Sequence, residues 1–156
     1  MTLLLRNKGF IIILSSPSAA GKSSIARELL RIDNNLKLSV SMTTRAPRSN
    51  EIDGTNYYFK SKEQFTGLIK QNVFLEYANI YNNYYGTPKK IVENLLNQGL
   101  DILFDIDWQG MNSIKKIIPD IVTIFILPPT LDVLKQRIKA RGQDNKESID
   151  LRMSLA

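Results

Sequence analysis

The strongest constraint on this chain is the segment that joins a short apolar run to a helix. Phe10-Ile-Ile-Ile-Leu14 lies between Gly9 and Ser15, and Gly9–Ser15 reads as a buried strand. It opens into Ser16-Pro17-Ser18-Ala19-Ala20-Gly21-Lys22-Ser23-Ser24. Ile25, Leu29 and Leu30 then share one face of a helix expected from about Lys22 to Ile32. Apart from Ser16 in place of the first Gly, the loop matches G-x-x-x-x-G-K-[ST]. Such a loop turns backbone N–H groups toward an anion at a helix N-terminus, where the dipole also favours negative charge. Lys22 is placed to reach β- and γ-phosphates, and the Ser23 hydroxyl to join a Mg²⁺ shell. The nine residues from Ser16 to Ser24 are therefore the expected nucleotide-binding loop. A plain small-residue turn is the competing reading.

Composition narrows the available chemistry. The 156 residues contain no Cys and no His, which excludes disulfides, thiolate nucleophiles, imidazole bases and thiolate or imidazole metal sites. Catalysis must run on carboxylates, hydroxyls, amines, guanidinium groups and backbone. Lys and Arg exceed Asp and Glu by 21 to 15, a net charge of +6. No aromatic-basic motif accompanies that surplus, so nucleic acid is not an expected partner. The run Phe10–Leu14 is shorter than the roughly 7–15 residues of a signal-peptide core, and nothing approaches the about 18 apolar residues of a membrane span. A soluble, cytoplasmic protein with no membrane partner is expected.

Further along, Lys37–Met42 reads as a strand, and Asp53-Gly54 as a turn into Tyr57-Tyr58-Phe59. Ser61-Lys-Glu-Gln64 is a capping box for a helix carrying Phe65, Leu68 and Ile69. Thr87 and Pro88 read as N-cap and first residue of a helix closed by Gly99. The apolar runs Leu100–Asp107 and Ile121–Leu127 flank a helix at Met111–Ile118, and Thr130 caps a helix ending at Gly142. Buried strands alternating with helices predict an α/β fold: a mostly parallel sheet flanked by helices. Residues 1–35 and 88–129 form the expected core, 36–87 an insertion, and 130–156 a closing helical segment with the start of a following helix.

The insertion concentrates charge-bearing groups. Arg45 and Arg48, with Tyr57 and neighbouring hydroxyls, make a candidate dianion site because guanidinium forks meet phosphate oxygens bidentately. Glu76, Tyr85 and Thr87 add a carboxylate and hydroxyls, and Asp105-Ile-Asp107 places two carboxylates at a strand end. A solvated Tyr-rich hairpin, with Asp105 capping a neighbouring loop, is the plainer alternative. Arg137 and Arg141 share a helix face at i, i+4, and Arg152 lies on the following segment, which Asp144 and Glu147 can cap as a box-like pair. By themselves these suit a solvated basic helix.

Together these segments resemble guanylate kinase, a P-loop nucleoside-monophosphate kinase, from about Lys8 to the C-terminus. The resemblance rests on S-V-S-x-T-T-R-x-P-R, E-x-D-G-x-x-Y-x-F, N-Y-Y-G-T and D-I-D-W-Q-G. It implies phosphoryl transfer from ATP to GMP with Mg²⁺, and Ser16–Ser24 as the ATP loop. It implies that Arg45, Arg48, Tyr57 and Tyr85 hold the GMP phosphate, while Ser41, Glu76 and Thr87 contact guanine with Asp107 nearby. A carboxylate at Glu76 can accept from guanine N1–H and N2–H₂, a donor pair adenine lacks. Lys22, Arg137, Arg141 and Arg152 become the catalytic cations, the last three on a mobile lid. A non-catalytic guanylate-kinase-like binding module and another small-molecule P-loop kinase are the alternatives; retention of Gly21-Lys22-Ser23 favours the enzyme.

Two departures from the family pattern carry expectations. Ser16 and Ala19 replace two loop glycines, and a positive φ at Ala19 would cost about 1 kcal/mol and weaken ATP binding. The family orders its core strands 2-3-1-4-5, and this sequence stops at Ala156, before the last core strand and C-terminal helix. Ile121–Leu127 would then be an apolar edge prone to self-association, and the chain less stable than longer relatives.

Overall fold

The computed structural model describes residues 9–119, 121–140, 142 and 146–154. In chain order the elements are β1 (Ile11–Ser15), α1 (Lys22–Ile32), β2 (Leu36–Leu38), β3 (Met42–Thr43), β4 (Tyr58–Phe59), α2 (Lys62–Lys70) and β5 (Phe74–Ile80). They continue with β6 (Asn83–Pro88), α3 (Lys89–Asn97), β7 (Asp101–Asp105), α4 (Trp108–Ile117), β8 (Val122–Phe125), α5 (Leu131–Ala140) and α6 (Lys146–Ser154).

The apolar run at the start of the chain becomes a central strand. β1 pairs in parallel with β7 on one side and β8 on the other, and β2 extends the sheet beyond β7. The order is β2-β7-β1-β8, which is 2-3-1-4 when the core strands are counted along the chain. Alternation along β1 feeds two cores. Ile11 and Ile13 pack with Ile102, Phe104, Val92 and Ile114 under α3 and α4. Leu14 packs with Leu103, Leu36 and Ala26 under α1. A strand buried on both faces needs the unbroken apolar run that the sequence shows.

A second sheet, ordered β4-β3-β6-β5, stands beside the first. Its β5–β6 hairpin turns at Tyr81 and Asn82, both with positive φ (49° and 64°), as two-residue hairpin loops require. Phe65 of α2 stacks on Phe74 and Tyr84, at ring separations of 4.4 and 5.4 Å, and holds the sheet together. Both halves of the Ser61/Gln64 capping box are made, and the Thr130 hydroxyl accepts the Val133 N–H at 3.1 Å.

Four expectations change. The strand expected over Lys37–Met42 is two strands in different sheets: β2 joins the parallel core, β3 the second sheet, and Ser39–Ser41 crosses between them. Thr87 does not cap α3; its hydroxyl donates to Glu76, and α3 starts after Pro88 with no side-chain cap. The helix expected at Met111 begins at Trp108, because the Asp107 carboxylate caps it by accepting the Gly110 N–H at 3.0 Å. The run Ile121–Leu127 contributes strand only over Val122–Phe125 and is substantially exposed. Among the described residues, no helix is long and apolar enough to cross a membrane.

Candidate functional site

The C-terminal ends of parallel strands collect loops, and here β1 and β7 deliver theirs to one mouth. The loop after β1 enters α1 through Gly21, whose φ of 113° is a conformation open to glycine and strained for any other residue. Lys22 turns back to the sheet. Its Nζ lies 2.9 Å from an Asp105 carboxylate oxygen and donates to the Ile106 carbonyl at 2.8 Å. The Ser23 hydroxyl donates to the other Asp105 oxygen at 2.9 Å. One carboxylate at the end of β7 thus aims both the Lys22 and the Ser23 side chains. Ser16 accommodates the missing glycine by donating its hydroxyl to the Pro17 carbonyl at 2.9 Å. Ala19 takes φ 69°, the left-handed conformation that carries the expected strain.

The second sheet faces this loop across a cavity of about 260 Å³. Its far wall is the guanidinium site. Arg45 donates to Glu51 at 2.8 Å and lies 5.4 Å from the centre of the Tyr57 ring. Glu51 also accepts the Arg48 backbone N–H at 2.8 Å. Burial alone would raise the Glu51 carboxyl, but Arg45 and the Arg48 N–H hold it below the usual carboxylate range. Burial would lower Arg45, and the Glu51 hydrogen bond and the nearby Tyr85 hydroxyl keep it raised instead. Tyr57 is pushed up to about 12, mainly by burial, so its hydroxyl stays a donor. Two guanidinium cations and the neutral Tyr57 phenol suit a doubly charged phosphate.

Deeper in the cavity lies Glu76, 7% exposed, whose carboxylate accepts the Thr87 hydroxyl at 2.7 Å. Ser41 and Asp107 line the same space. Burial pushes Glu76 up to about 7, the Thr87 hydrogen bond opposing the rise and the Asp107 charge adding to it.

The last two helices close over the loop. Arg137 of α5 donates to the Ala20 carbonyl at 3.0 Å, and Arg152 of α6 to the Ser18 hydroxyl at 2.7 Å. Leu134, Ile138, Ile149 and Met153 pack against Ala19 and Ala20, so these two helices rest on the phosphate loop itself.

Most of the residues expected in the site therefore meet. Ser16 to Ala19, Gly21 to Ser23, Ser41, Arg45, Arg48, Tyr57, Glu76, Tyr85, Asp107 and Arg152 share one cavity. Thr87 sits behind Glu76, Arg137 holds the loop from outside, and Ala20 and Ser24 do not line the cavity. Arg141 and Asp144 lie outside the described residues. Sequence reasoning gave no role to Glu51 or to Tyr81 and Trp108 in the wall, and offered Asp105 only as the cap of an unnamed neighbouring loop, which the structure shows to be the phosphate loop. The readable signal for Asp105 was its place at a strand end, two residues before a second carboxylate, Asp107.

A parallel sheet ordered 2-3-1-4, with a phosphate loop after its first strand and a second sheet across the cleft, defines a P-loop mononucleotide-binding fold. The guanylate kinase family model matches residues 8–156. The guanylate kinase of Rickettsia bellii is 68% identical over 151 residues, 97% of this chain and 79% of the relative. That of Clostridioides difficile is 49% identical over 149 residues, 96% of this chain and 73% of the relative. The crystal structure of guanylate kinase from Anaplasma phagocytophilum superposes with a TM-score of 0.76 at 35% identity, covering 96% of this chain and 73% of that one. The chain belongs to the guanylate kinase family.

Proposed function

We propose that this chain is an ATP:GMP phosphotransferase, moving the γ-phosphoryl group of ATP to the phosphate of GMP to give ADP and GDP. The observation that carries the reading is the single cavity holding a phosphate loop at one end and the Arg45–Tyr57 and Glu76–Thr87 pairs at the other. Arg45, Arg48, Tyr57 and Tyr85 bind the GMP phosphate. Glu76, Thr87 and Ser41 read guanine, with Asp107 beside them. The attacking phosphate oxygen is already anionic, so in-line attack on the γ-phosphorus needs no general base, which suits a chain without Cys or His. Lys22, Arg137, Arg141 and Arg152 neutralise charge as it builds on the transferred group. Lid closure keeps water from competing with GMP.

Mg²⁺ fits the donor set. The Ser23 hydroxyl and the Asp105 carboxylate meet at the head of the loop as hard oxygen donors. Among the described residues there is no cluster of three His, Cys, Asp or Glu side chains able to hold a metal. Mg²⁺ characteristically takes one or two protein oxygens and fills its shell with phosphate and water. Bound with ATP, it neutralises phosphate oxygens.

The reading extends to a cytoplasmic enzyme whose core, GMP-binding segment (36–87) and lid (130–156) divide the labour, with Leu36–Leu38 counted with the core sheet. It also extends to self-association through the exposed edge of β8. The test of the activity is ADP release with GMP, AMP, CMP and dTMP as acceptors. Release with GMP far above the others is expected, and equal turnover with AMP would overturn the guanine assignment. Failure to bind ATP in a direct titration would return the chain to the binding modules.

A further inference from the structure

We infer that Gly110 is a specificity-determining position, kept free of a side chain so that the Glu76 carboxylate can occupy the base-reading end of the cavity. The inference rests on the reading of Glu76 as the guanine acceptor. Gly110 is buried in the first turn of α4, against β5. A Cβ built there would lie 2.9 Å from Glu76 Oε2 and 3.3 Å from both Glu76 Cδ and Ile106 Cδ1. Non-bonded carbons rest at about 3.5–4.0 Å, so an added methyl and this carboxylate cannot both keep their places.

What yields is decided by stiffness. The helix backbone is held by its ladder and by the Asp107 cap on the Gly110 N–H. The Glu76 carboxylate is the far end of a flexible side chain, held on its other oxygen by the Thr87 hydroxyl. A methyl at position 110 therefore displaces the carboxylate and leaves the helix standing. Alanine is also the better helix former, so the helix gains no local stability from having glycine there. The requirement for glycine is positional: Gly110 acts through Glu76 and touches no substrate.

The experiment measures steady-state kinetics and thermal melting for Gly110→Ala, Glu76→Ala and the double variant. For Gly110→Ala, the KM for GMP should rise at least tenfold and the GMP-to-AMP ratio of kcat/KM should fall. The KM for ATP should stay within about twofold and the melting temperature should hold or rise. In the Glu76→Ala background, with no carboxylate left to displace, the second substitution should change the KM for GMP little. An unchanged KM for GMP in Gly110→Ala, while Glu76→Ala raises it, overturns the inference alone. No change in either variant removes the reading of Glu76 and the inference with it. A melting temperature lowered by many degrees in Gly110→Ala makes the glycine a packing requirement of the fold and also overturns it.

Discussion

Burial pushes the Glu76 carboxyl up to about 7, against the Thr87 hydrogen bond and with the help of the Asp107 charge. An unfolded Glu titrates near about 4.3, so between roughly pH 4 and 7 the folded chain holds a proton the unfolded chain has lost. Stability without nucleotide therefore falls as pH rises through that window, by on the order of 3 kcal/mol in all. With Glu76 as the proposed guanine acceptor, GMP reverses the preference, because the two N–H donors of guanine need the ionised carboxylate. GMP binding at pH 6 should release close to one proton from Glu76, and GMP affinity should drop about tenfold per pH unit below 7. The GMP phosphate also titrates near about pH 6. The difference in proton release between wild type and Glu76→Gln, by calorimetry in buffers of unequal ionisation enthalpy, isolates the carboxyl; no difference would count against it. Ala19 offers a second residue-scale prediction. Its φ of 69° costs about 1 kcal/mol, yet its methyl packs on Leu134 and Ile138, worth about 0.8 kcal/mol per buried carbon. Ala19→Gly should leave stability within about 1 kcal/mol while tightening ATP binding, since Ala19 lines the cavity in the loop proposed to hold the phosphates. A titration showing equal ATP affinity would refute this.

Elements meet in this molecule through a few side chains at their tips. The turn of the β5–β6 hairpin places the Tyr81 ring 4.7 Å from the Arg152 guanidinium, whose Nη1 donates to Ser18. The hairpin that carries Glu76, Tyr85 and Thr87 thereby steadies the Arg152 cation over the phosphate loop. A cation–π contact at such a site is worth about 0.5–1 kcal/mol. Tyr81→Leu should accordingly lower kcat about two- to fivefold with a smaller change in the KM for GMP, and Tyr81→Phe should fall between it and wild type. A kcat for Tyr81→Leu equal to wild type would deny the coupling. At α2 the capping box is complete, so Ser61→Ala should cost about 1 kcal/mol in thermal unfolding with kinetics unchanged. Local chemistry of that kind was legible in the sequence. Ser61 and Thr130 cap as their neighbours dictate, and the phosphate loop announces itself by spacing. Legibility ended where a residue had two plausible partners. Thr87 reads as a cap because Pro88 follows it, yet a buried carboxylate eleven residues back is a stronger claimant for its hydroxyl. Lys37–Met42 reads as one strand because hydrophobic pattern does not record which sheet a residue joins. Asp105 needed the sheet register to bring Lys22 and Ser23 to it.

At the scale of the whole molecule, the two edges of the parallel sheet differ in kind. β2 carries the exposed cation Lys37 at its centre, a common guard against pairing with another chain. Among the described residues β8 is hydrogen-bonded to β1 on one side only, and its run from Ile121 to Leu127 contains no charge and no proline. Val122, Ile124, Phe125 and Leu127 are 52%, 45%, 48% and 72% exposed. Unpaired backbone groups beside exposed β-branched and aromatic side chains form a template for a second strand, and two copies of β8 can supply it to each other. The net charge of +6 opposes the encounter over a distance set by ionic strength, about 10 Å at 0.1 M salt. Association of the 156-residue chain should therefore grow with concentration and grow further between 50 and 500 mM salt, the opposite of what contacts held by ion pairs would do. Ile124→Lys places a charge in the middle of the edge and leaves the phosphate loop and Glu76 untouched. That variant should remain monomeric at concentrations where the parent associates, with its KM for GMP unchanged. Light scattering coupled to size exclusion, run as a concentration series at both salts, decides the matter. A parent that stays monomeric at high concentration and high salt would show that the β8 edge does not pair.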